Sequence, residues 1–209
     1  VTIDEMDRIV AESQGRIVPG GGYNPLDIGP SLAELEEGVK NHGFKYMWYH
    51  PASYGVGLND RRSYPLYAKC VELGIPVSFQ SGQSAEPLPS EVGRPMYADE
   101  VAMDFPNLKI VASHGGWPWV PEMIGVCWRH PNVFIEIAAI RPKYIGTPGT
   151  GWETLLQYGN TLLQDRVLFA TDWPMLPMRR SIGEVKAQPL KEEVKKKWLG
   201  DNAAQLLRL

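Results

Sequence analysis

The chain has little cysteine, no long apolar run and no strong excess of either charge sign. Two cysteines in 209 residues, Cys70 and Cys127, are too few for a disulfide scaffold, and neither belongs to a CxxC pair. Both read as buried free thiols on helices, which suits a reducing cytoplasmic setting. No apolar stretch approaches the roughly 18 residues of a membrane span. The acidic, amphipathic start VTIDEMDRIVAES is unlike a signal peptide. A net charge of −3 and a pI near 5.8 give no electrostatic footprint for nucleic acid. What is abundant is Gly (21), Pro (18) and Trp (7). That combination argues against disorder and for many short connections between regular elements.

One phrase repeats along the chain. An amphipathic helix stops at Gly or Pro, and a short β-branched or aromatic run follows. It is clearest in LGIPVSFQSG, FPNLKIVASHGG, HPNVFIEIAA and QDRVLFATDWP, and GRIVPGGGYNP and HGFKYMWYHP fit it too. Strands are expected to begin near Arg16, Phe44, Val77, Lys109, Val133 and Val167. Their starts lie about 24 to 34 residues apart, the length of one βα unit. The apolar cores read as parallel strands buried on both faces. Helices are expected from Ser31 to Gly43, with Ser31 and Glu34 as a capping box. Others are expected from Tyr64 to Leu73, Met96 to Phe105, Pro118 to Trp128, Trp152 to Leu163 and Lys191 to Leu209, the last broken near Gly200. The longest loop runs from Ser81 to Pro95. The charged run KEEVKKK reads as a solvated helix face. Strict alternation makes residues 1–209 a single α/β domain with a parallel sheet. Gly20-Gly21-Gly22 is followed by Tyr23-Asn24-Pro25 rather than a helix start, so a Rossmann phosphate turn is disfavoured.

In such folds the working residues stand at the C-terminal ends of the strands. Asn24, His50, Gln80, His114, Glu136 and Asp172 close runs that are otherwise apolar. His42 and His130 instead sit in the last turns of helices, where a structural role fits the helix dipole. Two glycines beside His114 clear space around its imidazole. His50 either faces the pocket or bonds locally beside Pro51. A carboxylate at Asp172, after four apolar residues, needs a cation, a proton or a turn amide. Glu136 reads equally as a pocket residue or as the partner of a buried base. Gln80 can orient a ligand but is a poor ligand for zinc. Trp117, Trp119 and Trp173 could wall an aromatic substrate or pack the rim, and Arg141 is a candidate carboxylate clamp.

GFKYMWYHP, LGIPVSFQSG, FPNLKIVASHGGWPW, HPNVFIEIAA, RVLFATDWPM and LGDNAAQLLRL follow one another in an order that resembles the amidohydrolase-related family. This group of metal-dependent hydrolases and non-oxidative decarboxylases includes aminocarboxymuconate-semialdehyde decarboxylase. The resemblance implies a (β/α)8 TIM barrel, here represented by about six units. The first two units and their HxH metal pair are then expected to precede Val1. It implies a divalent metal, usually zinc, with Asp172 matching the ligand that ends the family's eighth strand. His114 matches the acid/base that ends the sixth, also close to the metal. Gln80 stands where the family has a fifth-strand His, and no HxH occurs. The expected activity is C–N or C–O hydrolysis, or decarboxylation, of a small carboxylated or cyclic substrate. Gln80, His50, Trp117, Trp173 and Arg141 are then substrate-binding candidates. Family members are often homodimers. Two alternatives stay open: an enzyme that works without metal, and a non-catalytic barrel that binds a ligand or another subunit.

Overall fold

The computed structural model describes residues 2–209. It contains one six-stranded parallel sheet whose spatial order β1-β2-β3-β4-β5-β6 is the order of the chain. The strands are β1 (Gly20–Gly21), β2 (Tyr46–Tyr49), β3 (Val77–Gln80), β4 (Ile110–Ser113), β5 (Val133–Glu136) and β6 (Val167–Leu168). A doubly wound sheet reverses its order at a switch point. This one never does, and helices separate the strands. The architecture is that of a TIM barrel over six βα units. Both outer strands, β1 and β6, pair on one side only among the described residues.

The helices are α1 (Ile3–Glu12), α2 (Ile28–Asn41), α3 (Pro51–Tyr54), α4 (Tyr64–Leu73), α5 (Pro95–Asp104), α6 (Val120–Arg129), α7 (Glu153–Gly159), α8 (Met178–Lys186), α9 (Glu192–Lys196) and α10 (Asn202–Leu207). None is long and apolar enough to cross a membrane. Strand alternation sends Met47, Tyr49, Val77, Phe79, Ile110, Ala112, Val133 and Ile135 toward the helices, where all are buried. Cys70 and Cys127 are buried free thiols in this layer, and burial pushes both up to about 12. The opposite face carries Tyr46, Trp48, Ser78, Gln80, Val111, Ser113, Phe134 and Glu136. On β3 and β4 it is buried, but on β2 and β5 it stays partly open, with Trp48 40% exposed. The expectation of strands buried on both faces therefore holds only for the middle of the sheet.

Several boundaries differ from expectation for local reasons. The first strand is reduced to Gly20–Gly21, directly after Pro19, which has no N–H to give to a ladder. The helix expected at Ser31 starts at Ile28, with Pro30 tolerated in its first turn. Ser31 is therefore no cap; its hydroxyl accepts from the Asn24 amide at 3.2 Å. The capping box that does form is Thr2 with Glu5, at the start of α1. The break near Gly200 is a wide π-type turn, Lys197–Asp201, joining α9 to α10. His42 and His130 cap helix ends as expected, and each also meets a carboxylate. His42 Nδ1 lies 2.7 Å from Asp7, and His130 Nε2 lies 2.7 Å from the buried Asp99.

Candidate active site

The C-terminal strand ends surround a cavity of about 640 Å3. Its lining includes His50 after β2, Gln80 and Ser81 at the end of β3, His114 after β4, Ala139 and Ile140 after β5, and Asp172 after β6. Strand ends about 120 residues apart in sequence thus share one pocket, as barrel geometry requires. Trp48, Trp117 and Trp152 give it aromatic walls. Gln83, Ser84 and Glu86 reach in from the long loop after β3, and no lining residue is Lys or Arg.

The loop is fastened to the His114 turn through glycines. Gly82 N donates to Gly93 O at 2.7 Å, and Gln83 N donates to Trp117 O at 2.7 Å. A Cβ on Gly82 would lie 2.3 Å from Trp117 O, and Gly82 has φ +86°. Only glycine permits that approach. Three non-glycine residues of the lining, His114, Ala139 and Asp172, have left-handed backbone, with φ of 65°, 60° and 50°. Such conformations cost energy and gather where a fold must aim side chains.

Two buried polar atoms of the lining residues have no hydrogen-bond partner, Gln80 Oε1 and His114 Nδ1. Buried polar groups are nearly always paired, so each calls for an explanation. Gln80 spends its Nε2 on the carbonyls of Gly82 and Gln83, at 3.3 and 3.1 Å. Burial holds the His114 imidazole below its usual range, opposed by the Ala138 backbone and by Asp172. Glu136, on the inner face beneath the cavity, is pushed by burial up to about 7, with the Asp172 charge adding to the rise. The Ser113 hydroxyl and the Ala138 amide, which donates to Glu136 Oε1 at 2.5 Å, oppose it. Beside them Ser78 Oγ and Ser113 Oγ lie 2.9 Å apart.

Of the residues expected from the sequence, His50, Gln80, His114, Trp117 and Asp172 line the cavity together. Trp173 and Arg141 do not. Trp173 is 75% exposed beyond the rim. Arg141 points its guanidinium at Glu184 of α8, so it is already paired with a carboxylate of the protein. Trp119 and Asn24 also lie outside the lining. Sequence reading passed over Trp48, although period-2 alternation puts it on the same face as His50. It passed over the Ser81–Gly93 loop residues too, whose signal was loop length. Trp152 carried no local signal. Among the described residues no three His, Cys, Asp or Glu side chains gather closely enough to hold a metal ion. His114 and Asp172 alone fall short of the three protein ligands of a catalytic zinc site. The residues present therefore do not fit the expected metal by themselves.

A family model described as Amidohydrolase matches residues 1–209. A 2-keto-4-carboxy-3-hexenedioate hydratase of Sphingobium sp. is 33% identical over 106 residues, which is 43% of this chain and 31% of the hydratase. The match thus spans about a third of that curated relative's length. A TIM-barrel protein of Bordetella bronchiseptica superposes with a TM-score of 0.86 at 30% identity, covering 100% of this chain and 72% of the other. The 5-carboxyvanillate decarboxylase of Novosphingobium aromaticivorans, complexed with manganese and a nitrobenzoic acid, gives a TM-score of 0.74 at 19% identity. That likeness covers 99% of this chain and 68% of the decarboxylase and concerns the fold.

Proposed function

The chain belongs to the amidohydrolase family, and on that premise we propose that its cavity is the active site of an enzyme acting on a small planar substrate, carboxylated or cyclic. The reaction is C–N or C–O hydrolysis or non-oxidative decarboxylation. The observation that carries this reading is the pair of orphaned buried polar atoms, His114 Nδ1 and Gln80 Oε1, on residues that line one aromatic-walled cavity. A ligand is the economical partner for such groups.

The roles follow from chemistry. His114 is the proton carrier. Burial keeps its imidazole below its usual range, so near neutral pH it is in the form that accepts a proton. Asp172, aimed by its left-handed backbone, supplies a carboxylate at the same mouth. Trp48, Trp117 and Trp152 bury the faces of a planar ring. The related decarboxylase was seen with manganese. Among the described residues no ligand set assembles, so these roles belong to the side chains alone.

The test is a panel of lactones, cyclic amides and aromatic carboxylates offered to the purified chain, with and without added manganese or zinc. His114→Ala should lower turnover by about 100-fold or more while the fold, read by circular dichroism, is kept. Unchanged turnover in that variant refutes the assignment. Binding without turnover across the panel supports the non-catalytic alternative.

A further inference from the structure

His50 has a fixed proton position. It caps α3 with its side chain, and Nδ1 accepts from the backbone amide of Ser53 at 3.0 Å. A backbone N–H can only donate, so Nδ1 must present its lone pair. The Ser53 hydroxyl, 2.7 Å from the same nitrogen, then donates as well. An Nδ1 that accepts leaves the ring's one proton on Nε2. Nε2 makes no hydrogen bond among the described residues, and His50 lines the cavity beside Trp48, with ring centroids 5.6 Å apart.

The other groups around the cavity bias what that N–H meets. Gln80 has no amide hydrogen to offer, because its Nε2 already serves two backbone carbonyls. Trp117 Nε1 donates to Thr150 O at 3.4 Å. The fixed charges among the lining residues are carboxylates, Asp172 and Glu86, while Arg141 is held outside by Glu184. A neutral N–H donor in a cavity whose lining carries two carboxylates suits an uncharged acceptor, because those carboxylates repel an anionic one.

We propose that His50 is a specificity-determining hydrogen-bond donor that selects an aromatic ligand with a neutral carbonyl oxygen (an amide, ester or lactone) over the matching carboxylate. The inference rests on the cavity being the substrate site. It narrows the proposed chemistry to hydrolysis of a neutral carbonyl compound. The Ser53 amide sets the imidazole's direction, and the tryptophans hold the ring.

Two measurements test it on the whole chain. Nitrogen-15 spectra of histidine-labelled protein should show His50 with its proton on Nε2. Binding of benzamide and benzoate, followed by tryptophan fluorescence, should favour benzamide by about tenfold, the effect of one well-made hydrogen bond kept clear of like charge. His50→Asn keeps an acceptor for the Ser53 amide, but its shorter side chain carries no N–H at the position of Nε2. It should weaken benzamide about tenfold and leave toluene, which carries no acceptor, unchanged. A proton on Nδ1, benzoate binding as tightly as benzamide, or no loss in His50→Asn overturns the proposal. The spectra need no turnover, so this failure is distinct from failure of the His114 assignment, which is read in rate.

Discussion

Replacing Glu136 by Gln tests whether the inner face of the sheet holds a proton. The Glu136 carboxyl lies beside the Ala138 amide and the Ser113 hydroxyl, within reach of the Asp172 charge. Burial raises it from 4.5 to about 7. In the unfolded chain it titrates near the lower value. Between the two the folded state keeps a proton that the unfolded state has lost, so stability falls as pH rises. The contribution is fully present below pH 4.5 and is gone once pH has passed 7. At 1.36 kcal/mol per pH unit this amounts to about 3 kcal/mol. Glu136→Gln keeps the shape and an oxygen for the Ala138 amide but has no proton to lose. Urea unfolding of both proteins from pH 4 to pH 8 is the assay. The stability of Glu136→Gln relative to the parent should climb by about 3 kcal/mol across that range. His114, held below its usual range, acts in the opposite direction, losing stability as pH falls, but it is common to both proteins and cancels in the difference. Parallel curves would refute the buried-carboxyl reasoning.

Two further outcomes follow from packing. Gly82→Ala should cost about 2 kcal/mol or more, because the new Cβ meets Trp117 O in a left-handed backbone. Limited proteolysis should then cut the Ser81–Gly93 segment faster; an unchanged cleavage rate would show that the glycine contacts do not fasten the loop. Asp99→Asn should cost about 3 kcal/mol in urea unfolding, because it deprives the buried His130, and Arg129 beside it, of their shared carboxylate. A loss below about 1 kcal/mol would mean the pair is dispensable.

The repeating helix-stop-strand phrase was legible because each unit carries its own signals. Tyr64–Leu73 and the strands starting at Val77 and Val133 lie where periodicity, Gly74 and Pro131 put them. The failures were places where a neighbouring proline or a run of charged residues overrode the pattern. Pro19 precedes a shortened β1, and Pro30 enters the first turn of α2 in place of the expected Ser31 cap. Helix α8 was missed because Arg179, Arg180, Glu184 and Lys186 obscure a stripe of only Met178, Ile182 and Val185. Five of the seven candidate site residues line the cavity, and each was legible as a strand-end polar group or a near neighbour of one. Arg141 could not be judged, because its partner Glu184 lies 43 residues further along the chain.

The sequence by itself determined the alternation of helix and strand, the parallel sheet and the polar residues that close its strands. Those are consequences of local sterics, helix stops and hydrophobic period. Tertiary structure alone decided which of those residues share a cavity and what each is free to do there. His50 was open between a pocket role and a local bond, and the folded chain gives it both. One ring nitrogen caps α3 while the other is left to the cavity. Hydrogen-bond capacity is finite: the nearby Ser53 takes one nitrogen, and only the packing of distant strand ends gives the other a cavity to face.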